Sequence, residues 1–222
     1  FANFQTITMK EAIKAHGAMP LPPYIKEHLD EPERYQTIYA SEPGSAAAPT
    51  AGLHFTPELI ERVRATGVAL LPLTLHVGLD TFRPVGEDEL ELHVIHSEQY
   101  RLPADSFEAI RRVKERGGKV VAVGTTSVRV LETVFQEPAT RPRNEVRLND
   151  ETHLHGETRL FITPGFRFRV VDALLTNFHL PKSTLLALVM AFAGIPETRR
   201  LYNEALREKY RFFSFGDAML IL

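Results

Sequence analysis

The chain has 222 residues, 44% of them hydrophobic, and its 26 Lys and Arg against 28 Asp and Glu give a formal net charge of −2. This length and composition can bury a real core in one domain, and the balanced charge gives no overall support for a nucleic-acid partner. Because cysteine is absent, disulfides, thiol nucleophiles and thiolate metal sites are excluded, which fits a reducing cytoplasm.

The N-terminal quarter predicts one helix and two irregular segments. Residues 8–16 predict a short helix closed by Gly17, and the three prolines of residues 19–25 exclude helix and the interior of a sheet. Residues 41–52 are rich in Gly, Ala, Pro and Ser, a composition typical of a flexible linker. We favour an ordered loop instead, because Tyr39 and Leu53 supply apolar anchors at its two ends.

The next elements bring two histidines to element ends. Thr56 and Pro57 predict a helix start, so His54 lies two residues before it and toward its N-terminal end. Residues 68–77 predict a buried strand that ends at His76.

A third histidine region follows in the acidic stretch 87–99, where His93 and His96 are three apart. No matching ligand set lies at a recognised spacing, so we predict no metal site.

Two strand-to-helix units are predicted in the second half of the chain. The first has a helix with an Asp105 to Glu108 capping box and a stop at Gly117, then a strand over 119–123, the residues GTTS (124–127) and a helix over 128–136. Neither GxGxxG nor a Walker lysine is present, so neither a dinucleotide nor a nucleoside triphosphate is indicated.

The second unit is preceded by predicted strands over 158–163 and 166–173, joined at Pro164-Gly165. A last helix is predicted over 196–210. This alternation favours an α/β layered fold, with a largely parallel sheet flanked by helices, as one domain over residues 1–222.

The stretch 170–194 organises the predicted site. An apolar run meets a turn carrying Asn177, His179 and Lys182, and Ser183 or Thr184 can cap the following helix. Polar side chains between a strand end and a helix start predict a pocket. A turn histidine bonded to backbone and a solvated lysine are the simpler alternatives. The helix over 185–193 is far short of the ~20 residues that span a bilayer, so no membrane is expected.

Several collinear blocks resemble one family, the S-adenosylmethionine:tRNA ribosyltransferase-isomerases of queuosine biosynthesis. The blocks are MPLPPYI (19–25), RYQTIYA (34–40), APTAGLHFT (48–56), LTLHVG with TFRPV (73–85), AVGTTSVRVLE (122–132), FITPG (161–165), VVDALLTNFHLPKSTLL (170–186) and YRFFSFGDAML (210–220). The resemblance implies members about half as long again, and we expect this chain to begin just after their small β-barrel domain. Because the first residue is Phe1, we expect an N-terminally truncated chain.

The resemblance implies a reaction in which the ribosyl part of S-adenosylmethionine moves to 7-aminomethyl-7-deazaguanine at the tRNA wobble position. The product is epoxyqueuosine, and adenine and methionine are released. S-adenosylmethionine is then a consumed co-substrate, no cofactor is implied, and tRNA is the partner. A cytoplasmic monomer is expected.

The resemblance also suggests residue roles, held here as hypotheses. Proton transfer is assigned to His54, His179 and Asp172. Nucleoside or deazaguanine contacts are assigned to Thr125, Thr126, Ser127 and Asn177, carboxylate or RNA phosphate contacts to Arg129 and Lys182, and a substrate contact to His76. Each has a structural alternative: Asp172 ordering the turn, His76 in the core at a strand end, and Arg129 paired with Glu132 along a helix.

Two other functions stay open. A methyltransferase would use S-adenosylmethionine as a methyl donor, although the Gly-rich first loop is absent. A non-catalytic RNA- or nucleotide-binding fragment would bind ligand without releasing adenine.

Overall fold

The computed structural model describes residues 8–17, 20–78, 95, 97–136, 145–148 and 151–222. The predictions about His93, His96 and the block 81–85 lie outside these ranges. Within them the helices are α1 Met9–His16, α2 Pro57–Ala65, α3 Ala104–Glu115, α4 Thr125–Val134, α5 Thr184–Ala193 and α6 Ile195–Arg207, with 3₁₀ helices at Pro32–Tyr35 and Thr50–His54. The strands are β1 Thr74–His76, β2 Glu98–Pro103, β3 Val121–Val123, β4 Glu145–Leu148, β5 Glu151–Thr158, β6 Ala173–Asn177 and β7 Ala218–Ile221.

The described strands form two small sheets. One is antiparallel with the order β1-β2-β5-β4, and the other has the order β3-β6-β7. In the second sheet β3 and β6 are parallel, whereas β7 runs antiparallel to β6. The α/β class with flanking helices is confirmed, but the expected largely parallel sheet is limited to the β3 and β6 pair. Hydrophobic patterning reports which residues are buried, and strand direction depends on tertiary connections that it does not encode.

Helix α4 packs against both sheets. Its Val128 and Leu131 belong to a buried cluster with Ala122 of β3 and Leu174 of β6. Its Val130 and Val134 belong to a second cluster that includes Leu102 of β2 and Leu154 of β5. The two apolar sides of α4 therefore fix its position, and its first turn lies at the end of β3.

Several helix ends match the sequence-based expectations. Thr56 accepts a hydrogen bond from the Leu59 N–H at the start of α2, and Ser183 accepts one from the Leu186 N–H at the start of α5. The expected capping box at the start of α3 is wrong, because the helix begins at Ala104 and Asp105 lies inside its first turn.

The predicted strands over 158–163 and 166–173 are wrong. Strand β5 ends at Thr158, and no strand is present from there to β6, although the turn at Pro164-Gly165 forms. The Glu132 carboxylate accepts hydrogen bonds from the N–H groups of Arg169, Val170 and Val171. These N–H groups thus bond to a side chain of α4 rather than to a neighbouring strand. The predicted strand over 68–77 shrinks to β1, and Val68 is 52% exposed.

Candidate functional site

The candidate site lies where the parallel strands β3 and β6 end. The Gly124 N–H donates to the carbonyl of Leu175 at 2.8 Å, and α4 begins at the next residue. Gly124 has φ +89 and no side chain to cap the helix. The first N–H groups of α4 are therefore left without a side-chain cap at this sheet end, beside the buried Thr125. The hydroxyl of Ser127 donates to the Val123 carbonyl at 2.8 Å, so it serves the helix start.

The small-residue loop over 41–52 is ordered, as expected. Its Ala46 N–H donates to the Val77 carbonyl at 2.9 Å, and the Val77 N–H donates to the Ser45 hydroxyl at 3.0 Å. The loop then enters the 3₁₀ helix Thr50–His54. These bonds dock the loop on the end of β1 and fix the direction in which His54 approaches the second sheet.

A hydrogen-bonded chain joins this loop to the end of β6. The Thr50 hydroxyl donates to Asn177 Oδ1 at 3.2 Å, and Asn177 Nδ2 lies 3.3 Å from His54 Nε2. Asn177 is 2% exposed, so the chain is held at its centre by a buried amide. With the amide nitrogen as donor, Nε2 accepts and the proton of the neutral imidazole is on Nδ1.

The same chain can run in the opposite direction. A hydroxyl both donates and accepts, so a flip of the Asn177 amide would let Thr50 accept from Nδ2 while Oδ1 accepts from a protonated Nε2. The chain of Thr50, Asn177 and His54 can therefore hold the imidazole in either protonation state, which suits a group that exchanges protons.

The 3₁₀ helix also reaches the start of α4. A Cβ placed on Gly124 would lie 3.9 Å from the Cβ of Ala51. Three of the expected regions therefore meet: the small-residue loop with His54, the end of β6 with Asn177, and the bend that carries Thr125 and Thr126.

His179 lies on the other face of β6. The ring Nε2 of His179 is 2.8 Å from the Thr176 hydroxyl. The backbone N–H of His179 donates to the Tyr202 hydroxyl of α6 at 2.8 Å. Successive strand side chains point to opposite faces, so Thr176 and Asn177 direct their histidine partners to opposite sides of the sheet. Burial lowers the pKa of His179 to about 4 and raises that of Tyr202 to about 12. The structure thus separates His179 from His54.

The lowered pKa of His179 predicts a pH dependence of stability. The unfolded chain takes up this proton near pH 6.5 and the folded chain only near pH 4. The free energy of unfolding should therefore fall by about 3 kcal/mol as the pH drops through this window, and His179→Gln should remove that contribution. Urea titrations of the two proteins at several pH values would measure it. A matched His28→Gln substitution at an exposed position should leave the dependence intact, and an equal change in both variants would contradict the assignment.

Asp172 lies at the other end of β6 from Asn177. Its carboxylate accepts from Lys114 Nζ at 2.7 Å and 2.9 Å and from the Val120 N–H at 2.8 Å. It therefore pairs β6 with the end of α3 and the start of β3, and the structure does not bring it to His54. The proposed proton-transfer role finds no support in this position.

Arg129 and His76 are also engaged elsewhere. Arg129 is buried and its Nη1 lies 2.5 Å from the buried Glu98 carboxylate, an ion pair that joins α4 to β2. His76 Nε2 accepts from Arg101 Nη2 at 3.1 Å. Lys182 is exposed, with φ +54, in the turn before α5. Of these three residues, Lys182 is the exposed one.

Sequence reasoning missed Thr50, the first member of the hydrogen-bonded chain. Thr50 lies in the same sequence block as His54. A threonine in a loop of small residues has no distinguishing pattern, however, until its hydrogen-bond partner is known. Tyr202, which fixes the backbone of His179, lies in a helix where its spacing predicts only core packing.

The described part of the chain shows neither a metal-binding cluster nor a membrane-spanning helix. It contains no group of three or more His, Asp or Glu side chains that could hold a metal ion. No helix in the same ranges has the length and apolar character needed to cross a bilayer.

Comparisons with known proteins agree on one family. A family model described as queuosine biosynthesis protein matches residues 1–221. A protein of Symbiobacterium thermophilum named S-adenosylmethionine:tRNA ribosyltransferase-isomerase is 58% identical over 206 residues, which are 93% of this chain and 58% of that protein. The crystal structure of S-adenosylmethionine tRNA ribosyltransferase from Thermotoga maritima is similar with a TM-score of 0.61 and 46% identity, over 78% of this chain and 51% of that one. The chain thus spans just over half the length of these relatives.

Proposed function

The chain belongs to the queuosine biosynthesis protein family, and from this premise we propose that it carries catalytic residues of an S-adenosylmethionine:tRNA ribosyltransferase-isomerase. The ribosyl part of S-adenosylmethionine would be transferred to 7-aminomethyl-7-deazaguanine at the tRNA wobble position and isomerised to give epoxyqueuosine. Adenine and methionine would leave. S-adenosylmethionine is consumed and no further cofactor is needed, and the enzyme would act in the cytoplasm as a monomer.

The observation that carries this proposal is the hydrogen-bonded chain of Thr50, Asn177 and His54 at the ends of parallel strands. The reaction needs a group that removes a proton beside the sulfonium, which itself acidifies the neighbouring carbon. It also needs a donor as adenine leaves. His54 is held in a defined orientation by the buried amide of Asn177. Because the donor and acceptor roles along the hydrogen-bonded chain can be exchanged, the chain can hold the His54 imidazole in either protonation state.

Other side chains have supporting roles in the proposal. Thr125 and Thr126 would bind hydroxyls or ring nitrogens of the nucleoside, with Asn177, at the start of α4. Lys182, exposed before α5, would meet a carboxylate or an RNA phosphate. The contacts of Arg129, Asp172 and His76 favour structural roles. His179 would shape the end of β6 through Thr176 and Tyr202.

One assay separates the proposal from its alternatives. The natural-length protein that contains this sequence is incubated with S-adenosylmethionine and tRNA bearing the aminomethyl-deazaguanine, and the products are analysed by mass spectrometry. The proposal expects free adenine, methionine and a tRNA base carrying the modified ribosyl group. S-adenosylhomocysteine would indicate methyl transfer, and ligand binding without adenine would indicate a binding protein; either would contradict the proposal.

We expect His54→Gln to reduce adenine release about 100-fold, the usual range for loss of a proton-transfer group. Glutamine keeps an acceptor for Asn177 but cannot take up a proton near neutral pH. Single-turnover release of adenine would measure the effect. His28→Gln, at an exposed position, is the control and should stay within twofold of the native rate. A native rate in the His54 variant would remove this histidine from the mechanism.

A further inference from the structure

The small-residue loop connects the two sheets, and it is anchored on each of them by side chains. At its C-terminal end the Thr50 hydroxyl bonds to Asn177 of β6, and the 3₁₀ helix that the loop enters carries His54. At its N-terminal end Glu42 forms an ion pair with Arg101 of β2. The direction in which His54 approaches β6 therefore depends on how the loop is held at its other end, on the first sheet.

Arg101 joins three segments of the chain through one guanidinium group. Its Nη2 donates to His76 Nε2 of β1 at 3.1 Å and also contacts the Glu42 carboxylate of the loop. In the register of the two strands Arg101 lies opposite Thr74, which places it diagonally across from His76 on the same face of the sheet. Because Nη2 carries two N–H groups, it can hold the strand residue and the loop residue at the same time.

The imidazole that Arg101 fixes is also the surface on which the loop packs. A Cβ placed on Gly44 would lie 2.8 Å from His76 Nδ1 and 2.9 Å from its Cε1, so the loop backbone runs directly against the ring and leaves no room for a side chain. Gly44 has φ +137, a conformation that residues with a side chain rarely adopt. Two residues further on, the Ala46 N–H donates to the carbonyl of Val77, the neighbour of His76. The position of the imidazole therefore sets the position of the loop.

We propose that Arg101 is a positioning residue for the reaction: by holding Glu42 and the His76 ring together, it fixes the small-residue loop on β1 and keeps His54 aligned with Asn177. This role rests on the proposed function. Arg101 acts through the loop rather than on the substrate, and His76 carries Gly44 rather than contacting the substrate itself.

The contribution of this ion pair to global stability should be small. The side chains of Arg101 and Glu42 are 28% and 37% exposed, so solvent screens their attraction. Two further hydrogen bonds between the loop and the end of β1 do not involve the guanidinium, from the Ala46 N–H to the Val77 carbonyl and from the Val77 N–H to the Ser45 hydroxyl. Removing the guanidinium should therefore loosen the loop without unfolding the protein, and the expected loss of activity is partial.

The kinetic test is Arg101→Met in the natural-length protein, because methionine keeps most of the apolar stem but has neither charge nor donors. We expect kcat for adenine release to fall about 10-fold, with KM for S-adenosylmethionine within about twofold, since a misplaced catalytic group slows the chemical step. Arg101→Lys, which keeps the charge, should recover part of the rate. The control is Arg111→Met, at a comparably exposed arginine paired with Glu108 and Glu115 on α3, and it should leave kcat unchanged. A native kcat in Arg101→Met would overturn the role.

A double variant tests whether Arg101 acts through Glu42. If the two side chains work through their shared contact, Glu42→Gln combined with Arg101→Met should be no slower than Arg101→Met alone, because the second substitution removes a contact that is already lost. Losses in kcat that multiply would show that the two residues act independently, and this would overturn the proposed link between the arginine and the loop.

A third measurement does not depend on activity. The N–H groups of Ala46 and Gly52 donate to the carbonyls of Val77 and Pro49, so their hydrogen exchange reports on the docked loop and on the start of the 3₁₀ helix. We expect exchange at these amides to be at least about 10-fold faster in Arg101→Met and native in Arg111→Met. Unchanged exchange would overturn the role. If the native protein releases no adenine, the proposed function fails, and the exchange rates still decide whether Arg101 fixes the loop.

Discussion

Replacing Arg129 with methionine is expected to lower the free energy of unfolding by about 3 to 5 kcal/mol, the usual result of removing one partner of a buried ion pair. The Arg129 side chain is 6% exposed and that of its partner Glu98 is 0% exposed, with 2.5 Å between Nη1 and Oε2. Its Nε also donates to the Leu160 carbonyl at 3.0 Å. The substitution therefore leaves the Glu98 carboxylate buried without the positive charge of the Arg129 guanidinium. Urea denaturation at neutral pH would measure the loss.

The double variant Arg129→Met with Glu98→Leu tests the cause. If the uncompensated charge is the main cost, removing both charges should recover most of the stability. Arg207→Met is the matched control, because Arg207 forms exposed ion pairs with Glu204 and Glu208 and should cost at most about 1 kcal/mol. A double variant as unstable as Arg129→Met would show that packing, not charge, sets the effect.

Glu132→Leu is expected to cost about 3 kcal/mol or more, for a different reason. The fully buried carboxylate accepts the Arg169 N–H at 2.9 Å, the Val170 N–H at 3.1 Å and the Val171 N–H at 3.0 Å. Leucine has a similar volume but accepts no hydrogen bonds, and each buried N–H left without a partner costs about 1 to 3 kcal/mol. Denaturant unfolding measures the total, and amide hydrogen exchange at residues 169–171 locates it.

Glu132→Gln distinguishes hydrogen bonding from packing. Oε1 accepts from Val170 and Val171, whereas Oε2 accepts from Arg169, so an amide oxygen at the Oε1 position preserves two of the three bonds. We expect glutamine to cost about half as much as leucine or less. Equal costs would mean that the carboxylate charge, rather than the number of bonds accepted, is what the segment requires.

The sequence predicted the features that depend on near neighbours. An apolar run followed by polar residues located the end of β6, and Thr56 and Ser183 marked helix starts that form as expected. The order of the small-residue loop followed from its apolar anchors. Two of the proposed site residues, His54 and Asn177, meet in the structure.

The sequence did not predict hydrogen-bond and ion-pair partners that are distant along the chain. Lys114 and Asp172 are 58 positions apart, and Glu98 and Arg129 are 31 apart. Nothing in the local pattern of an Asp, Arg or Glu distinguishes a ligand contact from such a pair. The predicted strand over 166–173 failed for the same reason, because Glu132 takes up the N–H groups that a strand neighbour would have used. The aromatic end of the chain likewise gave no sign of β7.

The packing of α4 on both of its sides affects the entropy cost of binding a ligand at its first turn. Because apolar residues on both flanks of this helix are locked into separate clusters, its first turn has little freedom to lose when a substrate arrives. The entropy cost of ordering those N–H groups is incurred during folding. A nucleoside that docked there would therefore form its contacts without that additional cost.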